Sequence, residues 1–343
     1  MKLRFIARRL ALLPVQVVGL ASVLFVMLQL LPGDPRYLIL GSNATPQALD
    51  RLTHQLGLDE PIYDRYLHFL DDTLHGNLGT SSFTHSSVAA EVWQRFPATL
   101  ELVTFAFLIG MAVAIPMGVL SAIGKGRGRF GVFNKLTRGA TFGYGMAAGA
   151  LPDFWWGLML IGVFYVVLGV APAPLGRLSI ELTPPETITG MYSVDSLLTG
   201  DFAAFGSAIG HLILPGLTLA FVYSSAIVKM TRTQMGEMLS SDFVRYARAC
   251  GLSSRRVHAY ALRSALLPVI TLAGLAYGST LSGAVLIETL FAWGGLGEYA
   301  VQAVGNSDYY AVTGSVMAFA TFALVVYMLM DVLYVVIDPR VSY

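Results

Sequence analysis

The feature that most constrains this chain is a set of uncharged apolar runs long enough to cross a lipid bilayer. A bilayer core of about 30 Å needs about 20 apolar residues in a helix, because each residue rises about 1.5 Å and lipid offers no partner to an unpaired backbone group. Leu10 to Leu31, Leu102 to Ile123, Ser264 to Ile287 and Tyr309 to Met330 reach that length directly. Leu212 to Val228 is shorter but ends in Lys229, whose amine can reach the headgroups. Gly139 to Val170 is too long for one straight crossing and carries Pro152 and Asp153 in its middle, so it reads as one broken helix or two short ones. Composition agrees, with 55% hydrophobic and only 13% charged residues, where a soluble domain has roughly 25% charged. Mean hydropathy is +0.64. A typical cytosolic enzyme is excluded.

The placement of positive charge gives the sidedness. Lys2 to Arg9, Lys125 to Arg138, Lys229 to Arg263 and Arg340 hold 17 of the 22 Lys and Arg residues, and Arg36, Arg51, Arg65, Arg95 and Arg177 are the other 5. If Gly139 to Val170 is one broken span, the larger group falls on one face, and excess positive charge marks the cytoplasm. This predicts an all-α integral membrane protein with six transmembrane helices and both termini cytoplasmic. The first run follows a basic segment, as a signal peptide does. It is too long for an h-region, though, and Leu31-Pro-Gly-Asp34 offers no small-residue cleavage site, so it is expected to stay as an anchor. The lack of an amphipathic targeting segment fits insertion into a bacterial inner membrane.

The expected organisation is a cytoplasmic N-terminus and first span at 1–31, an external cap segment at 32–98 and a five-helix core at 99–343. Within the core, spans are expected at 99–123, 139–170, 212–232, 268–290 and 309–335. An external loop at 171–211 and a cytoplasmic loop at 233–267 separate them. In the cap, Thr45-Pro46 and Pro61 read as helix starts, with Tyr63, Tyr66 and Leu67 on one side of the second helix, and Gly76 to Gly79 as a turn.

The cytoplasmic loop is the most informative stretch. Ser241 or Asp242 can cap a short helix whose apolar residues Phe243, Tyr246, Ala247 and Cys250 recur at helical spacing, while Arg245 and Arg248 point elsewhere. Gly251 supplies a left-handed end and Leu252 a hydrophobic follower. Ser253 or Ser254 can start a second helix with Val257, Tyr260, Ala261 and Ala265 on one face, running into the fifth span. Two helical turns are marginal alone in water, so a protein or a lipid surface must cover the apolar side. A rigid helix joined to a span is also a lever.

Other residues carry less. The near-balance of 22 basic and 21 acidic residues leaves no global field for nucleic acid, and the single Cys250 offers neither a disulfide nor a thiolate cluster. Gly124-Lys125-Gly126 lacks the remaining parts of a phosphate-binding loop, so ATP must be handled by another polypeptide. Asp153 is a pathway candidate by its depth, against the alternative that it caps the second half of a broken helix. Glu101 and Glu288 are weaker pathway candidates near the external ends of their spans, where water can solvate them. Trp293 reads as an interfacial anchor and Trp155 and Trp156 as lipid or helix contacts. Gly139, Gly143, Gly145 and Gly149 have the spacing for close helix approach. The scattered histidines make no metal site. A secondary transporter would carry several intramembrane ionisable residues, a membrane enzyme a convergent metal or nucleophile set, and a receptor an output domain. None of these is read from the sequence.

The segment Asp242-Phe-Val-Arg-Tyr-Ala-Arg-Ala-Cys-Gly-Leu-Ser-Ser-Arg-Arg-Val257, followed by Ala261-Leu-Arg-Ser-Ala-Leu-Leu-Pro268, resembles the EAA loop of ABC-importer permeases of the dipeptide and oligopeptide family. Further family-like pieces occur in order. They include Leu31-Pro-Gly-Asp-Pro35, Gly76-Asn-Leu-Gly79, Pro97-Ala-Thr-Leu-Glu101, Pro152-Asp-Phe-Trp-Trp-Gly157, Glu288-Thr-Leu-Phe291 with Gly294-Gly-Leu-Gly297, and Asp338-Pro-Arg340. Arg245 stands where the general pattern has a glutamate, as the peptide subgroup commonly does, and Cys250 where a lysine is frequent.

The resemblance implies a type I importer permease fold and a heterodimer with a homologous second permease. It also implies two ATP-binding cassette subunits that hold ATP and Mg, and an external substrate-binding protein. The coupling residues it implies are Asp242, Phe243, Arg245, Tyr246, Ala247, Arg248, Ala249, Cys250, Gly251 and Leu252, seated in a cleft of the ATPase. No cofactor on this chain is implied. The expected cargo is a dipeptide or short oligopeptide, with nickel complexes, opines, glutathione or oligosaccharides as the family's other cargoes.

Overall fold

The computed structural model describes residues 2–30, 36–37, 44–55, 57–123 and 129–337. The sequence pieces at Leu31 to Pro35, Gly124 to Gly126 and Asp338 to Arg340 lie outside the described residues. Helix α1 (Lys2–Leu30) precedes two short helices, α2 (Pro46–Gln55) and α3 (Ile62–Leu74). Then come α4 (Val88–Ile123), α5 (Arg129–Ala150) and α6 (Asp153–Leu160), the last continued by a π-helical segment, Ile161–Val167. Helix α7 (Tyr192–Thr199) lies in the following loop, before α8 (Phe202–Ser240), α9 (Asp242–Ala249), α10 (Ser254–Leu290), α11 (Leu296–Gly305) and α12 (Tyr309–Ile337).

Five helices among the described residues are long and apolar enough to cross a membrane, and a sixth crossing is made if the bent pair Leu136–Ala150 and Asp153–Val167 counts as one span. The bend is 108° and falls at Leu151-Pro152. Proline there has no N–H for the preceding turn and its ring crowds that turn's carbonyl, so α5 cannot run on. The helices on either side decide what the pair does. A Cβ on Gly216 would lie 2.5 Å from Phe105, one on Gly110 3.1 Å from Ser224, and one on Gly118 2.6 Å from Thr231. Along these contacts both α4 and α8 advance in the same direction, so the bent pair returns the chain across the membrane once. Small residues are what let these two backbones approach so closely.

Helix α10 runs back against α8, with Ala261 and Ala265 beside Met235 and Gly283 against Tyr223. Helix α12 in turn lies against α10, where Gly274 meets Met330 and Gly278 meets Tyr327. Several boundaries differ from expectation because helices do not stop at the bilayer surface. Helix α4 begins at Val88, inside the segment assigned to the cap, since Val88 and Val92 bury against Leu296, Tyr299 and Ala311. Helix α8 continues to Ser240, and α10 starts at Ser254 rather than near Pro268.

Helix α3 packs through Tyr66, Phe69 and Leu70 on the α1 residues Ala21, Leu24 and Phe25, and Ser22 hydrogen-bonds Tyr66 at 2.6 Å. Tyr63 and Leu67 point away, at 63% and 59% exposed, which corrects the face read from the sequence. Trp293 is also corrected. It is 2% exposed, and its Nε1 donates to the Ala98 carbonyl at 2.9 Å within the main core, so it fastens α4 to the end of α10 rather than sitting among headgroups.

Candidate functional site

The end of the bundle that carries the loop at 233–267 is built by a break between two helices. Ser241 is extended, and its hydroxyl donates to the Met238 carbonyl at 2.6 Å, so it closes α8 rather than capping α9. The expected side-chain cap on α9 is not made. Asp242 pairs with Arg245 at 3.3 Å, but both are largely exposed and the pair contributes little. The far end follows the sequence reading. Gly251 has φ +78°, its N–H donates to Arg248 at 3.0 Å, and the Leu252 N–H reaches Ala247 at 3.2 Å. This double closure satisfies two carbonyls that would otherwise be left open.

Helix α9 has two apolar sides where the sequence suggested one. Val244, absent from the expected set, is 1% exposed and packs with Met235, Val257, Ala261 and Ala265, with Ala247 and Leu252 beside it. Phe243, Tyr246, Arg245, Arg248, Ala249 and Cys250 face outward. Phe243 is 43% and Tyr246 73% exposed, so two large rings stand on the outer face of a helix only eight residues long. Tyr260, expected with Val257 on the inner face, is also exposed.

The three acidic candidates separate by surroundings. Glu288 is fully buried, which corrects its expected solvation by water. Its Oε2 accepts from the N–H groups of Gly297 at 2.7 Å and Glu298 at 3.1 Å, at the start of α11. Thr99 Oγ1 takes the Leu296 N–H at 2.8 Å, so two side chains satisfy the open donors of one helix end. Glu101 is likewise buried rather than wetted, at 6% exposed. Its Oε1 accepts from Ser193 N–H at 2.7 Å at the start of α7, and Arg177 Nη1 lies 3.7 Å from its Oε2. Both carboxylates fasten short helices to the bundle, Glu288 the start of α11 and Glu101 the start of α7.

Asp153 is different. It is half-buried, opens α6 and accepts from its neighbour's N–H at Phe154, at 2.9 Å. Its other oxygen accepts from the Tyr223 hydroxyl at 3.2 Å. The cap of α6 falls at Pro152, so Asp153 sits in the first turn instead of bonding several freed donors as a capping residue would. No group of three or more His, Cys, Asp or Glu among the described residues could hold a metal.

The family model described as "Binding-protein-dependent transport system inner membrane component" matches residues 114–343, and the model for the N-terminal part of such components matches residues 2–103. The chain belongs to this family of permeases. It is 39% identical over 346 residues to the dipeptide transport system permease protein DppB of Escherichia coli, with 99% of each chain covered. It is 39% identical over 348 residues to the di/tripeptide transport system permease protein DppB of Pseudomonas aeruginosa, again with 99% of each covered. To the oligopeptide transport system permease protein AppB of Bacillus subtilis it is 33% identical over 340 residues, 98% of each. The permease is therefore a multi-pass membrane subunit of an ABC importer with a six-helix fold, not an enzyme.

Sequence reasoning missed part of the permease's architecture in the segment 171–199. Arg177 donates to Gly190 O at 3.0 Å and stacks its guanidinium 3.7 Å over the Tyr192 ring. Asp195 accepts from the N–H groups of Thr189 at 2.8 Å and Gly190 at 2.9 Å and from the Thr189 hydroxyl at 2.7 Å. Burial alone would raise the Asp195 carboxyl, but these bonds outweigh it and hold it below its ordinary range. Thr189 to Asp195 does contain a sequence signal, a Thr-Gly turn just ahead of an aspartate in the first turn of a helix.

Proposed function

We propose that this permease moves dipeptides or short oligopeptides across a bacterial inner membrane, with both termini in the cytoplasm. A binding protein delivers the peptide from outside. A homologous second permease completes the pathway, and two ABC subunits, carrying ATP and Mg, drive it. Helix α9 is the piece seated in the ATPase, and Asp242, Phe243, Arg245, Tyr246, Ala247, Arg248, Ala249, Cys250, Gly251 and Leu252 form the coupling element. The cap, residues 32–98, sits over the external end of the core.

The observation that carries this reading is the division of labour on α9. Its Val244 side belongs to the permease core and its Phe243 and Tyr246 side is open. A helix held on one side and open on the other transmits a push to whatever it is rooted in. Here the roots are the ends of α8 and α10, which continue without interruption into two spans. Closure of the ATPase pair then draws the two coupling helices together and rocks those spans, a two-state change biased from both ends.

The test is transport by the assembled importer in proteoliposomes, offering di-alanine and, separately, a nickel chelate, glutathione and a disaccharide with the cognate binding protein. ATP-dependent accumulation of the dipeptide alone is the expected result. Accumulation of another cargo and not the peptide would reject the peptide assignment, and accumulation without ATPase subunits would reject the coupling scheme.

A further inference from the structure

The reading of peptide transport leaves one polar group in the middle of the bundle without a job. Helix α8 carries Tyr223 near the centre of its apolar stretch, and the same turn receives a second hydroxyl. Tyr144 on α5 donates to Phe221 O at 2.6 Å and lies 2.8 Å from Ser224 Oγ. Asp153, held by Tyr223, thus meets the α8 span Phe202–Ser240 about halfway along its length. A carboxylate at that depth is costly unless donors or a cation meet it. The donors that meet it are few: its neighbour's N–H and one phenol at 3.2 Å. Among the described residues no Lys or Arg forms an ion pair with it. The backbone around it is also irregular, at a 108° bend, and irregular backbone at membrane depth is tolerated only against protein or a water-filled cavity.

We propose that Asp153 is a specificity-determining residue of the translocation pathway, its carboxylate receiving the free ammonium group of a transported peptide in place of the Tyr223 hydroxyl. The inference rests on the peptide reading above. An ammonium supplies the positive charge that the phenol cannot, with up to three donors against the phenol's one.

The test uses the complete importer with di-alanine and N-acetyl-di-alanine as probes, and the binding protein is added for the uptake measurement only. In detergent, saturation-transfer NMR at millimolar peptide reads contact with the transporter itself; in proteoliposomes, uptake of di-alanine reads turnover. Wild type is expected to give transfer to di-alanine and not to the acetylated form. Asp153→Asn should lose that transfer and lower the uptake turnover about tenfold or more, the loss expected when a charged hydrogen-bond partner is removed. Asp153→Glu should restore most of it. Tyr223→Phe should keep both signals within about twofold, since it removes only the competitor. Equal transfer to free and blocked peptide, unchanged behaviour of Asp153→Asn, or a parallel loss in Tyr223→Phe marking a purely structural pair would each overturn the inference. A wild-type importer that transports no di-alanine would instead overturn the peptide reading and this inference with it.

Discussion

The N–H of Gly297 donates to Glu288 Oε2 at 2.7 Å, joining the last turn of α10 to the first turn of α11. A Cβ on Gly297 would stand 2.7 Å from the Val285 Cα and 2.9 Å from the same carboxylate oxygen, and one on Gly295 2.5 Å from it. The spacing from Glu288 to the glycine cluster is thus a cradle in which backbone donors close on a buried carboxylate.

Gly297→Ala is expected to destabilise the permease by about 2 kcal/mol or more, since the clash is with backbone. Glu288→Ala should cost about 1–3 kcal/mol for the donors it leaves unpaired. Thermal unfolding in detergent checks both. A Glu288→Ala protein with unchanged stability and a loss confined to transport would return Glu288 to the pathway.

That cradle shows what the sequence could and could not convey. Five of the spans follow from run length, because lipid makes the backbone satisfy itself, whereas counting 139–170 as one broken span needed the distribution of positive charge. The left-handed end at Gly251 follows too, since only local geometry is involved. Whether Glu288, Glu101 or Trp293 faces water or the core is fixed by partners such as Thr99, Ser193 and Ala98, far along the chain, and no local pattern carries that. Helix α9 misled for a related reason. With apolar residues on two sides of two turns, periodicity alone groups Phe243 with Ala247 and overlooks Val244, whose side is chosen by Met235 and Ala261.

Gly251→Pro removes the N–H that reaches Arg248 and replaces the positive φ with one proline cannot leave. Uptake should fall while ATP hydrolysis continues, because the lever is loosened rather than the motor stopped. Parallel measurement of uptake and hydrolysis in proteoliposomes checks this, and an unchanged uptake rate at normal membrane abundance contradicts it.

Val244→Ala and Tyr246→Ala should separate the two sides of α9. The first deletes buried volume and should cost about 2 kcal/mol of permease stability. The second changes a ring 73% exposed, so it should leave stability unchanged and weaken ATPase binding about tenfold or more. Thermal unfolding and titrated co-purification read the two quantities separately.

Acid should release the turn closed by the Thr80–Ser87 bridge. The Asp308 carboxylate takes hydrogen bonds from the Ser81 hydroxyl and from the N–H groups of Ala311 at 3.1 Å and Phe83 at 3.3 Å. Burial would raise its pKa, but these bonds together hold it below the ordinary carboxylate range. A lowered pKa contributes stability above the unfolded value and loses it as pH falls through the folded one. Proteolysis within 80–87 should therefore accelerate only below the usual carboxylate range, and Ser81→Ala should move that onset to higher pH.

The central claim is that the open face of α9 is gripped by an ATPase, and Cys250, the only cysteine of 343 residues and exposed on that helix, reports on it directly. The rate of maleimide addition to this chain, read by intact mass, should be far lower in the assembled importer than in the isolated permease. Equal rates in the two states, with transport intact in the assembly, would contradict the account.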